Sequence, residues 1–164
     1  MSARARDSVY HQLLVSHELG GAGLIALHLA ATFQGQGYSS QVWIPGEGPA
    51  QCKATELGVP THLYHARRVL SSGKAGAMFG NWQIGLRLRR QGPGVVHVHG
   101  PFHYGALHLG LRLSRLKRIV HVHLEEDEEG LRWAFRRPPE LILTCAQFLV
   151  AYVRRTLPAR YQER

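Results

Sequence analysis

Two His-x-His pairs hold most of the chemistry this sequence could carry. One reads Val96-His97-Val98-His99-Gly100-Pro101-Phe102-His103, the other Ile119-Val120-His121-Val122-His123-Leu124-Glu125. Side chains alternate along a strand, so each histidine pair lies on one face and the valines on the other. If the two strands are neighbours, four imidazoles come close together. Imidazole is a ligand for zinc and related metals, a hydrogen-bonding group and a proton carrier near neutral pH. The reading adopted is hydrogen-bonded core or cleft histidines. The strands are expected to be covered by helices on both sides, and neither an HExxH run nor a nearby cysteine offers to complete a metal site. No metal and no cofactor are expected.

A second candidate is Ser16-His17-Glu18-Leu19-Gly20-Gly21-Ala22-Gly23, which runs from a strand straight into a helix. Glycines let a ligand approach the backbone, and a helix N-terminus offers free N–H groups to an anion. Gly21, Gly23 and Ala26 also satisfy a GxGxxA dinucleotide spacing. However, no acidic residue closes the next strand, Val42-Trp43-Ile44-Pro45, and Glu47 comes only after the turn. A turn that needs glycine merely for packing is the alternative. The acidic run Glu125 to Glu129 reads as a solvated loop favouring the start of a helix. As function, it offers a general base beside His123 or a group for acceptor hydroxyls, with Glu125 nearest the strand end.

The elements that must position these residues alternate in type. Strands are expected at Tyr10–Ser16, Gln41–Pro45, Thr61–Tyr64, Val95–His99, Ile119–Leu124 and Leu141–Cys145. Helices are expected at Ala22–Gln36, Gln51–Leu57, Lys74–Arg90, Tyr104–Leu116, Glu128–Arg136 and Ala146–Thr156. That alternation predicts a single doubly wound α/β domain, residues 1–164, with a mostly parallel six-stranded sheet. In the fourth helix Ala106, Leu109, Leu113 and Leu116 share one face and are expected on the sheet, with His108, Arg112 and Arg115 opposite. The third helix carries Gly76, Gly80 and Gly85, each costing about 1 kcal/mol of helix propensity.

Bulk properties narrow the class. The chain has 164 residues and a formal net charge of +9. Its cysteines, Cys52 and Cys145, are far apart, which points to reduced thiols and a cytoplasm-like compartment. The N-terminus has no signal-peptide pattern. The uncharged stretch Leu19 to Phe33 is shorter than the ~20 residues of a membrane span and reads as a core helix. Nucleic acid is set aside because no recognisable module interleaves aromatics with the basic residues. Arg67, Arg68, Lys74, Arg87, Arg89 and Arg90, near Phe79 and Trp82, form either a solvated basic face or a contact with an anionic membrane.

In this order the features resemble the N-terminal domain of family-four retaining glycosyltransferases, built from two facing Rossmann-like domains (fold B). The resemblance covers nearly the whole chain. It rests on the Gly20-Gly21 loop after the first strand and Gly37-Tyr38-Ser39-Ser40-Gln41-Val42 entering the second. It continues through Val95-Val96-His97-Val98-His99-Gly100 and a histidine, His123, ending the fifth strand. Leu141-Ile142-Leu143-Thr144-Cys145 stands where serine is more usual at the last position.

The resemblance implies an acceptor-binding half of a sugar transferase, cytoplasmic and peripheral at the inner face of the membrane. A donor-binding domain, absent from these residues, would supply the nucleotide and diphosphate contacts in cis or in trans. His123 would be catalytic, facing the donor sugar; Gly20, Gly21, His99, His103 and Glu125 would form the acceptor side. A nucleotide sugar and a glycan or lipid-linked acceptor are the implied substrates, and the isolated chain is expected to be inactive. The rival reading is a non-catalytic nucleotide- or anion-binding module that uses the GxGxxA turn.

Overall fold

The computed structural model describes residues 8–65, 73–125 and 127–158, without the side chains of residues 73 and 74. Arg67, Arg68 and Glu126, and the side chain of Lys74, lie outside the described part. Six strands, β1 (Val9–Leu13), β2 (Ser39–Ile44), β3 (Thr61–Leu63), β4 (Gly94–Val98), β5 (Lys117–Val122) and β6 (Leu141–Thr144), make one sheet. Their order is β3-β2-β1-β4-β5-β6, and every adjacent pair is parallel. This is a Rossmann-like architecture, as the alternating pattern predicts, and the sheet is wholly rather than mostly parallel. The helices are α1 (Gly21–Gly35), α2 (Pro49–Glu56), α3 (Gly73–Arg90), α4 (Pro101–Ser114), α5 (Glu128–Ala134) and α6 (Gln147–Thr156).

Local chemistry sets the helix starts. Proline opens α2 and α4 at the first turn, where its missing N–H costs nothing. That moves the start of α4 from the expected Tyr104 to Pro101. The Asp127 carboxylate caps α5 by accepting from the Gly130 N–H at 2.7 Å. At the outer edge, the Arg118 guanidinium grips both oxygens of the Glu140 carboxylate, which also accepts from the Arg118 N–H, while the Glu140 N–H donates to the Arg118 carbonyl. This clip holds the start of β6 against β5.

Right-handed crossovers decide which face each helix covers. The chain moves one way from β1 to β3, so α1 and α2 cover one face of those strands. Ala26, Leu27 and Ala30 of α1 and Ala50 and Ala54 of α2 pack there on Leu14, Val42 and Ile44. From β4 onward the chain moves the other way, and the later helices cover the opposite face. Leu88, Tyr104, Leu107, Leu131 and Leu149 meet Val96, Val98, Val120 and Val122 in the second core cluster. On the α1 side of β4 and β5 the buried residues are histidines, His97 against Tyr10 of β1 and His121 beside it.

The expected face of α4 is also corrected. Tyr104, Leu107 and Leu111 are fully buried toward the sheet, whereas Leu109 and Leu113 turn toward α3 and line an open groove. Larger side chains at i, i+3 and i+7 take the sheet side, and Leu109 and Leu113 are left at the helix–helix seam. Leu19–Phe33 lies largely in α1, as expected. Among the described residues no helix is long and apolar enough to cross a membrane.

The glycines of α3 have a reason that propensity does not show. A Cβ on Gly85 would meet the Gly110 carbonyl at 2.5 Å, and one on Gly110 would meet the Asn81 carbonyl at 2.3 Å. Asn81 bridges the same crossing, donating to Ala77 and Ala106 carbonyls and accepting from the Gly110 N–H. Backbone atoms cannot swing aside as a side chain can. Gly110→Ala is therefore expected to destabilise by about 2–4 kcal/mol despite its helix-propensity gain. Thermal denaturation should show a fall of roughly 5–15 °C. Gly35→Ala, where an added Cβ meets nothing within 4 Å, should not lower the melting temperature.

Candidate functional site

β1 has β2 on one side and β4 on the other, so the crossovers diverge at its carboxyl end, where ligands bind in open parallel sheets. Two cavities lie there. The larger, about 260 Å³, is bounded by Val15, Ala22, the start of α4, His123 and Leu124. The smaller, about 110 Å³, sits under Gly20, Ala22 and Gly23 beside Ser16 and Glu18. His99 lines both.

Gly20 caps α1 in an extended conformation with no side-chain hydrogen bond, and Gly21 begins the helix. The opening N–H groups of α1 therefore face the smaller cavity without a side-chain cap. A Cβ added at Gly20 or Gly21 would meet nothing within 4 Å, and neither residue has a positive φ. Neither packing nor backbone strain in the described chain demands glycine at these two positions.

The β1–β4 ladder extends past the strand ends, with the His99 amide donating to the Leu13 carbonyl at 3.1 Å. His99 Nε2 lies 2.6 Å from Gln12 Oε1. With that oxygen accepting, His99 carries its proton on Nε2. Its Nδ1 is then free to accept from His123 Nε2, 3.3 Å away. The half-buried His123 stands immediately after β5 on the wall of the larger cavity. His103 also lines that cavity, but its Nε2 lies 2.6 Å from the Tyr64 hydroxyl, which itself donates to the Leu14 carbonyl. Glu125 is exposed and lies outside the residues lining either cavity. The two adjoining cavities thus bring together Gly20, His99, His103 and His123, with Gly21 next to the lining residues Gly20 and Ala22 and Glu125 outside both.

All four strand histidines lie on the same sheet face. The His121 and His123 rings stack with centroids 3.9 Å apart, and those of His97 and His99 with centroids 4.2 Å apart. Burial lowers every one of their pKa values, His97 to about 3, His99 to about 2 and His121 to about 4, with neighbouring histidines adding to the shift. Burial also brings His103 to about 4 and lowers His123. At neutral pH these rings are uncharged, suited to exchanging hydrogen bonds with hydroxyls rather than to pairing with anions.

Three contributors were not singled out from the sequence. Gln12 is fully buried and fixes the His99 tautomer; its signal is an amide inside the apolar run Leu13-Leu14-Val15 and its neighbours. Tyr64 ties β1 to α4. Cys145 lies beside the histidines, its Sγ donating to the His123 carbonyl at 3.3 Å, which corrects the expectation that no cysteine is near. Separation in sequence hides this contact, because only the β5–β6 register creates it.

Comparison with known proteins bears on the same residues. Residues 20–161 match the model of a family described as "Glycosyl transferase 4-like domain". Among solved structures, Acinetobacter baumannii MurG is similar with a TM-score of 0.65 at 15% identity, over 93% of this chain and 43% of that one. Anabaena HepE in complex with UDP is similar with a TM-score of 0.72 at 13% identity, over 94% of this chain and 42% of that one. The chain therefore spans less than half the length of either. Among curated proteins there is no significant match.

The buried imidazoles make stability depend on pH. In an unfolded chain they titrate near ~6.5, whereas His11, His97, His99, His103 and His121 in the fold stay neutral down to about 4 or below. The unfolded state therefore binds more protons through this window, and stability falls as pH drops below ~6.5. Each ring contributes up to about 1.4 kcal/mol per pH unit. Circular dichroism melts should place the midpoint at pH 5.5 more than ~10 °C below that at pH 7.5. Equal midpoints would mean that water reaches these rings in the native state.

Proposed function

The chain belongs to the glycosyl transferase 4-like domain family, and from that premise we propose that it is the acceptor-binding half of a retaining glycosyltransferase. It would act on a sugar from a nucleotide donor and a glycan or lipid-linked acceptor. The observation that carries the reading is the Gly20-Gly21 helix start, bare of side chains though packing leaves room for them, opening beside His99 and His123. Bare backbone N–H groups suit a polar ligand that comes close to the main chain. The rival nucleotide-binding module would use the same turn, but β2 ends at Ile44 with no carboxylate for a ribose.

In this reading His123 contacts the donor sugar at the cleft mouth. His99, held by Gln12, accepts from the His123 N–H and so fixes the orientation of that ring. Both rings are neutral and exchange hydrogen bonds with sugar hydroxyls. The leaving diphosphate requires cationic or N–H groups that the second domain would provide, in cis or in trans. His103 shapes the acceptor side through its bond to Tyr64, and Glu125 reaches only the outer part of an acceptor.

The reading extends to an anionic membrane surface as partner and to a cytoplasmic, peripheral location. Met78 is 62% exposed, and with Phe79, Trp82, Leu109 and Leu113 it surrounds an apolar groove of about 420 Å³ between α3 and α4. Arg89, Arg90 and Arg112 are exposed on the same two helices. Arg87 is committed elsewhere, stacked on Trp43 and donating to the Leu63 carbonyl. The chain should cosediment with vesicles containing phosphatidylglycerol but not with pure phosphatidylcholine, and less so as salt rises. Phe79→Ser with Trp82→Ser should abolish the binding; undiminished binding by that variant would remove the groove from the proposal.

Two measurements test the catalytic assignment. Calorimetry on the lone chain should find no micromolar binding of uridine, guanosine or adenosine diphosphate sugars; tight binding of a dinucleotide would favour the rival. In an enzyme reconstituted with a donor domain, His123→Ala should lower turnover by about 10²-fold or more. The same change should leave the melting temperature of the lone chain nearly unaltered. His97→Ala, deep in the sheet, should cost stability instead. A His123→Ala enzyme with unchanged turnover would make His123 a packing residue.

A further inference from the structure

Three buried imidazoles meet on the face of β4 and β5 opposite the valines of the second core cluster. His97, His99 and His121 each offer one ring nitrogen, and these atoms all lie within 4.8 Å of one another. His97 is 1% exposed and His121 is 8% exposed. Neither nitrogen of either ring has a hydrogen-bond partner among the described residues. Buried polar atoms are almost always satisfied, so two adjacent rings without partners call for a group that the described chain does not supply.

We propose that His97, His99 and His121 form a binding site for a transition-metal ion of the zinc class, with His123 and Cys145 at its rim. An ion at the centre of a nitrogen triangle of that size would stand about 2.8 Å from each atom, against the ~2.0–2.1 Å of a zinc–imidazole bond. The rings therefore need to close by under ~1 Å each, which rotation about the side-chain torsions provides. The stacked arrangement is the open form; coordination turns the ring planes toward one another.

Two neighbours fit the proposal. Metal-bound imidazoles usually donate their other N–H to an oxygen, and His99 does so to Gln12, which leaves its Nδ1 lone pair toward the cluster. The β5–β6 register ends at Val122 and Thr144, which brings the next residues, His123 and Cys145, together just past the strand ends. The exposed Cys145 donates its S–H to the His123 carbonyl, next to the cluster but outside it. The donor set also selects the ion. Imidazole and thiolate suit zinc, cobalt, copper or nickel, whereas magnesium and calcium require oxygen ligands that this cluster lacks.

The proposal does not rest on the transferase reading, though it touches the same cleft. An ion that takes the His99 Nδ1 lone pair removes the acceptor for His123 and releases that ring.

The test is a Co²⁺ titration of the untagged full chain after treatment with chelator, followed by displacement with Zn²⁺. The expected result is the visible absorption of four-coordinate Co²⁺, saturating at one ion per chain and lost on adding one Zn²⁺. His97→Asn and His121→Asn should each weaken binding by about 100-fold or more, while His28→Asn at an exposed position should not. Ring-proton NMR of the unaltered chain provides a second readout that needs no folded variant. Signals of His97, His99 and His121 should shift together at one equivalent of Zn²⁺. A folded chain with no Co²⁺ band and no such shifts would overturn the proposal. So would a band that survives both cluster variants but disappears in His28→Asn.

Discussion

Hydrogen bonds that zip β4 onto β1 set Gln12 beside His97 and continue one step further, to the bond between the His99 amide and Leu13. Much of the cleft depends on that register. A slip of one residue would turn His97 and His99 to the opposite face and put Val96 and Val98 in the cleft. The α1 start is tied to the same strand, because residues 14–19 carry the chain from the end of β1 to the Gly20-Gly21 turn. The second histidine pair is placed in turn by the β4–β5 register, which aligns His97 with Ile119 and carries His121 alongside His99.

Much of this was legible in the sequence, and the parts that were not share a physical reason. Period-two alternation places His97 with His99 and His121 with His123 without any structure, and the spacing of apolar runs delivers all six strands. Alternation cannot say which half of a sheet face receives a helix, because that follows from strand order and crossover hand. Nor can it give strand order, so the approach of Cys145 to His123 was missed. In α4 the periodicity was real, but two apolar stripes competed. Tyr104 and Leu107 took the sheet while Leu109 and Leu113 faced α3. Gly85 looked like a weak point of its helix because propensity measures an isolated helix and not a crossing.

The glycines at the start of α1 carry a different kind of information. Gly85 and Gly110 are held small by the neighbouring backbone, whereas nothing in the described chain limits the size of Gly20 and Gly21. Where packing does not account for a small residue, the space above it becomes the informative feature. Here that space lies beside His99, whose proton is placed by Gln12 from the adjoining strand. The electrostatics agree with a ligand that bonds through hydroxyls: a chain of net charge +9 lines this cleft with neutral rings.

The Tyr64 hydroxyl joins three segments that are distant along the chain. It donates to Leu14 at the end of β1 and meets His103 in the first turn of α4, spans of 50 and 39 residues. Closing loops of that length costs chain entropy before any contact rewards it. Contacts so widely separated in sequence belong to the slow, non-local part of assembly. The cleft floor therefore cannot form in a partly folded chain that has docked only β1, α1 and β2. Whatever the cleft recognises, a nascent chain does not bind it until the first turn of α4 has been synthesised and docked, so ligand recognition reports on completion of the fold.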